Sequence, residues 1–223
     1  MTYFFLSKSR IIPSVNTEDI HEFQKIVNWC NQKSERVHLD VSDGKFVSQK
    51  TLSLNQLMSA EFKSWVDVHL MVKNPLEVLK KCPHLIRINK IYFHKDSDSA
   101  PLDVIRFCKE NKIGIGMVLR TEMDAESIKN YKDQIENVIV MTVKLGEAGG
   151  QFLPKNLDKV IKLRELGFGG KIIVDGGITN QTIREAAKHY PDYVISGNYI
   201  FNSKDEEEID RKYKELNSLI SRL

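Results

Sequence analysis

The sequence predicts an α/β protein in which eight parallel strands, each followed by a helix, close into a barrel. Three observations support this prediction: short apolar runs rich in β-forming residues recur along the chain, charged amphipathic segments separate them, and the alternation is regular. Eight strand–helix pairs in 223 residues fit a closed parallel barrel better than an open doubly wound sheet. Because no linker or low-complexity tract interrupts the pattern, we expect a single (β/α)8 TIM-barrel domain over residues 1–223.

The predicted strands are the apolar runs themselves, each bounded by polar or glycine-containing segments. The first is IIPSV, near the start of the chain, and the last is DYVISG. In chain order the eight strands cover residues 11–15, 36–41, 65–72, 90–94, 113–119, 137–143, 171–176 and 192–197.

The segments between these strands carry helix signals. Thr17 stands before two acidic residues at a helix start, Pro154 opens another helix, and Gly167 follows the last residue of that one. The acidic run at 205–208 is interpreted as the solvated first turn of the last helix, where negative charge complements the helix dipole. The predicted helices cover residues 18–31, 52–62, 75–81, 101–111, 124–131, 154–166, 180–189 and 205–223.

Composition narrows the classes of function. Thirty-three Lys and Arg residues against 30 Asp and Glu residues give a formal charge of +3, and acids interrupt the basic residues everywhere, so we expect no nucleic-acid partner. The apolar run at the start is too short for a signal peptide, and no apolar stretch is long enough to span a bilayer. We therefore expect a soluble, cytoplasmic protein with no membrane partner.

The three cysteines, Cys30, Cys82 and Cys108, lie far apart and form no C-x-x-C motif. An odd number of widely spaced cysteines does not favour a disulfide framework or a thiolate zinc site. We interpret each as a small buried apolar residue.

Side chains that can bind a metal ion or transfer protons lie at the carboxyl ends of the predicted strands, which meet at one mouth of a parallel barrel. The second strand ends in His38-Leu-Asp40, where the two-residue period points both side chains to the same side. The third carries His69, and the seventh ends in Asp175. Two imidazoles and two carboxylates are a suitable ligand set for a divalent cation such as zinc, iron, manganese or cobalt.

An alternative remains open for these four residues. A histidine in an apolar strand is more often a hydrogen-bonded core residue than a metal ligand. Asp40 and Asp175 shift that balance, because four ionisable groups are costly to bury inside a barrel without a compensating cation. The residues therefore favour a metal or acid–base site over a purely structural cluster.

Glycine clusters follow the last three predicted strands, at 146–150, 176–177 and 197. Their exposed backbone N–H groups, with helix N-termini behind them, favour binding of an anion such as phosphate. Any one cluster alone is usually a turn. The glycines at 167–170 come before the seventh strand, at the opposite end of the barrel, and are interpreted as a helix stop.

Six segments, in order, resemble the successive strand ends of the ribulose-phosphate 3-epimerase family: RVHLDVSDGKFV, VDVHLMV, IYFH, VIVMTV with GGQF, IIVDGGI and ISGNYIF. The resemblance covers residues 11–201, and H-x-D-x-x-D-G followed by D-V-H-L-M-V is specific in this order. It implies a metal-dependent TIM barrel that inverts C3 of a ketose phosphate through a metal-stabilised enediolate, with ribulose 5-phosphate and xylulose 5-phosphate as the default pair.

The resemblance also implies residue roles and an assembly state. It assigns one divalent metal ion, with zinc as first choice, to His38, Asp40, His69 and Asp175, and makes Asp40 and Asp175 the acid–base pair. It places the substrate against Ser14, His69, Met71, Met141, Gly149, Gly150, Gly176, Gly177, Gly197 and Asn198. It further suggests a homo-oligomer, either a dimer or a hexamer.

Departures from the family pattern cluster around the substrate and spare the metal ligands. The family usually has Met where this chain has Ser42, and its P-G-F-G-G-Q loop appears as residues 144–151 with one inserted residue and a carboxylate, Glu147. Residues 119–122 replace L-N-P-x-T, and Asn198 replaces a serine. A negative charge at Glu147 weakens phosphate binding unless its side chain faces solvent or binds a hydroxyl.

Two other functions remain as alternatives. Altered substrate loops around a retained metal set suit a 3-epimerase of a longer ketose phosphate, a hexulose 6-phosphate or a heptulose 7-phosphate. A non-catalytic sugar-phosphate binder is the alternative of another class, although it has no evident reason to keep two buried acids. An aldolase or decarboxylase is disfavoured because no lysine lies at a strand end for a Schiff base, the nearest being Lys144 in a loop.

Overall fold

A computed structural model describes residues 9–146 and 149–221. Eight parallel strands form one closed barrel in chain order, with β1 paired to both β2 and β8. The prediction of a (β/α)8 TIM barrel is therefore confirmed. The strands are β1 Ile11–Val15, β2 Arg36–Ser42, β3 Trp65–Met71, β4 Ile88–Phe93, β5 Gly114–Leu119, β6 Asn137–Met141, β7 Lys171–Asp175 and β8 Tyr193–Ser196.

The strand register sets which side chains share a level of the barrel. Asp40 of β2 lies beside His69 of β3, and Met141 of β6 lies beside Asp175 of β7. Closure brings β1 next to β8, where the backbones approach closely: a Cβ on Gly197, just after β8, would lie 2.3 Å from the Ser14 Oγ. Closure therefore needs a residue without a side chain at position 197.

Eight α-helices accompany these strands in the described part of the chain: α1 Ile20–Lys33, α2 Leu54–Leu57, α3 Pro75–Lys80, α4 Pro101–Glu110, α5 Asp158–Glu165, α6 Ile183–Ala187, α7 Asn198–Phe201 and α8 Glu206–Ser221. Their apolar faces pack on the outside of the barrel, as with Phe23, Val27 and Cys30 of α1, which are fully buried. A smaller apolar cluster fills the barrel interior below the mouth. In the described residues no helix combines the length and the hydropathy needed to cross a bilayer.

Several helix boundaries differ from the sequence-based prediction. The first helix begins at Ile20, two residues later than predicted, because Asp19 and not Thr17 is its N-cap: the Asp19 carboxylate accepts hydrogen bonds from two first-turn amides at 2.7 and 3.3 Å. The second helix, predicted over 52–62, is confined to Leu54–Leu57. The predicted stop is confirmed, since Gly167 follows α5 with φ +75°.

The prediction of an α-helix over 124–131 is wrong, because the chain there forms a 3₁₀-helix, Ala125–Ile128, followed by turns. Backbone hydrogen bonds in this segment span three residues, as from the Tyr131 amide to the Ile128 carbonyl at 2.8 Å. The two buried side chains, Ala125 and Ile128, are likewise three apart, the spacing that a 3₁₀-helix aligns. Two short helices, α7 and the 3₁₀-helix Leu85–Arg87, were not predicted.

The three cysteines are free and buried, as predicted. Burial raises the pKa of the Cys30 and Cys108 thiols, the latter to about 12, so both remain protonated at neutral pH. They act as small apolar residues between the barrel and its helices.

Candidate active site

Four ionisable side chains from three strands meet at the carboxyl end of the barrel: His38 and Asp40 from β2, His69 from β3 and Asp175 from β7. One ligand-type atom of each lies within 4.8 Å of the others. The Asp40 Oδ1 is 3.5 Å from the His38 Nε2 and 3.2 Å from the His69 Nδ1, and the Asp175 Oδ2 is 3.9 Å from that same nitrogen. The structure thus brings together the four residues that the sequence singled out.

The donor set fits a divalent metal ion. Both ring nitrogens of His38 are buried and have no hydrogen-bond partner among the described residues, and Nε2 faces Asp40. A buried imidazole nitrogen without a partner is costly, and a cation held between it and the carboxylates would remove that cost. Two imidazoles and two carboxylates suit zinc, iron, manganese or cobalt.

The two carboxyl groups have opposite electrostatic surroundings. Burial raises the pKa of Asp40, but the neighbouring imidazoles of His38 and His69 outweigh burial and hold its pKa below the usual value. Burial and the negative charge of Asp40 raise the pKa of Asp175 to about 6. One carboxyl is thus set to be ionised while the other retains a proton more readily, so that the pair can take and give protons.

His94 is a site residue that the sequence reasoning missed. It follows β4, is fully buried, and its Nε2 lies 2.9 Å from the His69 Nε2. Burial and the neighbouring His69 keep the pKa of His94 well below its usual value, so its ring is neutral. The available signal was its place as the last residue of the predicted fourth strand, where side chains point towards the barrel mouth.

The residues predicted to contact substrate line one cleft of about 890 Å³ that opens above Asp40, His69 and Asp175. Two nearly buried methionines, Met71 at the end of β3 and Met141 at the end of β6, form part of its wall. The cleft is lined by Ser14, Met71, Met141, Gly149, Gly150, Gly176, Gly177, Gly197 and Asn198, among others. The structure therefore brings these residues together at one cleft.

The turn after β7 needs its glycines. Gly176 and Gly177 have φ values of +108° and +67°, and a Cβ on Gly176 would approach Val143 to 2.5 Å. The Thr142 hydroxyl donates to the carbonyl oxygens of Asp175 and Gly176 at 3.0 and 2.6 Å. These contacts hold the turn against β6 and so position Asp175.

Two departures from the family pattern, Ser42 and the loop at 144–151, lie in different surroundings. Ser42 ends β2, is buried, and its hydroxyl has no hydrogen-bond partner among the described residues. Its backbone amide donates to the Thr51 hydroxyl at 2.9 Å, which ties the following loop over it. Lys144 lines the cleft, whereas Glu147 lies outside the described residues.

Asp67 shares a strand face with His69 but lies two residues nearer the start of β3. Its carboxylate contacts Arg36 at 3.2 Å and accepts a hydrogen bond from Asn89 at 2.7 Å. Asp67 therefore belongs to a buried structural pair and not to the candidate site.

The closed barrel and the His and Asp cluster at its mouth define the class: a (β/α)8-barrel protein with an enzyme-type pocket and a candidate divalent-metal site. A family model described as the ribulose-phosphate 3 epimerase family matches residues 10–201. The chain belongs to the ribulose-phosphate 3-epimerase family, as the sequence motifs predicted.

Relatives support that membership across most of the chain. A ribulose-phosphate 3-epimerase of Helicobacter pylori strain J99 is 31% identical over 208 residues, covering 89% of this chain and 93% of the relative. Enzymes of the same name are 26% identical in Schizosaccharomyces pombe, covering 91% of both chains, and 29% identical in Escherichia coli K12, covering 78% of this chain and 80% of the relative. These relatives are epimerases, which are isomerases by class.

Solved structures extend the likeness at the level of the fold. A 3-hexulose-6-phosphate synthase superposes with a TM-score of 0.71 over 94% of this chain and 99% of that one, at 15% identity. The tryptophan synthase α subunit of Campylobacter jejuni superposes with a TM-score of 0.65 at 17% identity, covering 96% of this chain and 97% of that one. At such low identity they share the barrel fold with this chain.

Proposed function

We propose that this protein is a metal-dependent epimerase that inverts C3 of a ketose phosphate, with ribulose 5-phosphate and xylulose 5-phosphate as the default pair. One observation carries the proposal: in a member of this family, two carboxyl groups with oppositely shifted pKa values share a buried cluster with two imidazoles. Zinc is the first choice of metal, and iron, manganese and cobalt are alternatives.

The ligands proposed for the cation are His38, Asp40, His69 and Asp175. A bound divalent cation supplies the positive charge that stabilises negative charge developing on the oxygens beside C3. Without such help, a proton next to a ketone carbonyl is too weakly acidic for a carboxylate to remove at neutral pH.

Asp40 and Asp175 are the proposed acid–base pair. Inversion requires that one carboxylate remove the C3 proton from one face and that the other carboxyl group deliver a proton to the opposite face of the planar enediolate. In the metal-free protein the pKa of Asp40 is lowered, which suits the base, and that of Asp175 is raised, which suits the acid. In one turnover the base gains a proton and the acid loses one, so the pair gains or loses no net proton, and the two groups exchange roles in the reverse reaction.

The remaining cleft residues are proposed to position the substrate. Met71 and Met141 offer polarisable, apolar contacts beside the sugar, and Ser14 offers a hydroxyl. The proposed phosphate subsite consists of backbone N–H groups at Gly149, Gly150, Gly176, Gly177, Gly197 and Asn198.

Solvent exchange at C3 tests the reaction directly. Metal-loaded protein in D2O should incorporate deuterium at C3 of ribulose 5-phosphate, measured by NMR, while Asp40→Asn and Asp175→Asn should fold normally and show no exchange. Asp192→Asn is the control, because Asp192 is an acid of the same barrel that pairs with Arg164 and Lys171 outside the site. Exchange at the wild-type rate in Asp175→Asn would refute its assigned role.

A longer ketose phosphate is the second candidate substrate. Asn202, Ser203 and Lys212 also line the cleft, and Ser42 replaces a larger methionine of the family pattern. Turnover of pentulose, hexulose and heptulose phosphates should be compared side by side. Equal or better turnover of the pentulose would eliminate this candidate, and absence of exchange with all three would favour a non-catalytic sugar-phosphate binder.

We also propose a cytoplasmic homo-oligomer of single-domain subunits, a dimer or a hexamer, with no nucleic-acid or membrane partner. The near balance of charges supports the absence of a polyanionic partner. Trp65 and Ile86 are large apolar side chains with 63% and 95% of their surface exposed, which supports subunit contacts. Light scattering on purified protein would measure the assembly, and a monomer would refute this part.

A further inference from the structure

The imidazole of His94 contacts one of the candidate metal ligands, His69. Its ring lies against that of His69 at a centroid distance of 5.0 Å and an interplanar angle of 29°. Both side chains are essentially buried, and their Nε2 atoms are 2.9 Å apart. At that distance one nitrogen carries the proton and the other accepts it.

The orientation of His69 decides which nitrogen carries that proton. Its Nδ1 faces Asp40 at 3.2 Å and Asp175 at 3.9 Å, so Nδ1 is the atom available to a cation. A neutral imidazole that offers the Nδ1 lone pair must carry its proton on Nε2. Among the described residues the Nε2 of His69 has His94 as its hydrogen-bond partner.

We propose that His94 is a positioning residue: its unprotonated Nε2 accepts the hydrogen bond from the His69 Nε2 and so holds His69 in the tautomer that presents Nδ1 to the metal. This inference rests on the proposed metal site. In metal sites the second nitrogen of a ligating histidine usually donates to a carboxylate, a carbonyl oxygen or water. A neutral imidazole in that place adds no third negative charge near Asp40 and Asp175.

The loop after β2 keeps His94 in place. The Phe46 ring packs on His94 with centroids 5.0 Å apart, and the Arg120 guanidinium lies 6.0 Å from the centre of the Phe46 ring. Asp43 holds this loop, because its carboxylate accepts hydrogen bonds from the Phe46 amide at 2.9 Å and from the Lys73 amide at 2.8 Å. His94 is thus fixed between Phe46 and His69, as a positioning residue must be.

Metal affinity separates a hydrogen-bonding role from simple packing. His94→Phe keeps an aromatic ring between Phe46 and His69 but removes the acceptor, whereas His94→Gln loses the ring but keeps an acceptor of similar reach. We expect His94→Phe to weaken zinc and manganese binding about 10–100-fold, measured by competition with a chromophoric chelator, and His94→Gln to restore most of it. Tyr92→Phe is the matched control, since it alters another buried group of β4 that hydrogen-bonds Asn137 instead.

The tautomer itself can be read in the unmodified protein, even if a variant fails to fold. Long-range ¹H–¹⁵N spectra of the zinc-loaded protein should show the His69 proton on Nε2. Wild-type affinity in His94→Phe, a larger loss in His94→Gln than in His94→Phe, or a proton on the His69 Nδ1 would each overturn the inference alone. A wild-type protein that binds no divalent cation would overturn the proposed metal-dependent function and the inference with it.

Discussion

Asp175 is expected to destabilise the metal-free fold at neutral pH. Its burial and the nearby charge of Asp40 raise its pKa from 3.8 to about 6, so the folded protein binds this proton more tightly than the unfolded chain. The stability linked to this proton is present below the unfolded-state pKa and is lost as the pH rises through about 6. This rise in pKa corresponds to about 3 kcal/mol of unfolding free energy, at about 1.4 kcal/mol for each pKa unit.

Asp175→Asn removes the ionisable proton while keeping the size and shape of the side chain. We expect the metal-free variant to be more stable than metal-free wild type by up to about 3 kcal/mol at pH 8, and by less than about 1 kcal/mol near pH 4. In a chain of this length the difference at pH 8 corresponds to about 6–12 °C in Tm. Burial lowers the pKa of His38, but the nearby Asp40 raises it by more. In both proteins, stability therefore also falls as the pH rises and His38 loses its proton.

Urea unfolding of chelator-treated protein at pH 4 and pH 8, followed by circular dichroism, measures this difference. Asp192→Asn is the control of opposite sign: Asp192 is partly buried, but contacts with Lys171 and the Ile172 amide lower its pKa, so its loss should destabilise the protein at pH 8. The reasoning is refuted if Asp175→Asn is no more stable than wild type at pH 8.

Two further predictions concern the elements that support the site. Gly176→Ala should lower the free energy of unfolding by about 2–4 kcal/mol, because alanine is strained at positive φ and its Cβ would meet Val143. Gly169→Ala, with open space around it, should change that free energy by no more than about 0.5 kcal/mol. Equal changes in Tm for the two variants would contradict this. Lys159→Met removes hydrogen bonds of 2.9 and 2.8 Å to two carbonyl oxygens after β5. It should lower the free energy of unfolding, measured in urea, by about 1–3 kcal/mol. An unchanged urea midpoint would count against this prediction.

Much of the site could be predicted because its signals are local. His38 and Asp40 are two residues apart in one strand, and the two-residue period of a strand places them on one side. Asp175 comes directly before a glycine pair, which marks the end of β7 and a turn. These inferences need only strand geometry and the rule that parallel strands of a barrel present their carboxyl ends together.

Other parts could not be predicted from local pattern. The segment 124–131 has helical character in its sequence, but its buried residues are spaced for a 3₁₀-helix. Asp19 competes with Thr17 as the N-cap, and only the chain geometry shows which side chain reaches the first-turn amides. Both differences arise because neighbouring structure decides between local alternatives of similar energy.

The amino-acid sequence by itself determined the alternation of strands and helices, the family, and the four ionisable residues at the barrel mouth. Only the tertiary structure decided that His94 contacts His69, that Asp67 pairs with Arg36 away from the site, and that Asp40 and Asp175 differ in pKa. Periodicity encodes the face on which a side chain lies. The distance between side chains of different strands depends on register and barrel closure, and the pKa values depend on burial and on those distances.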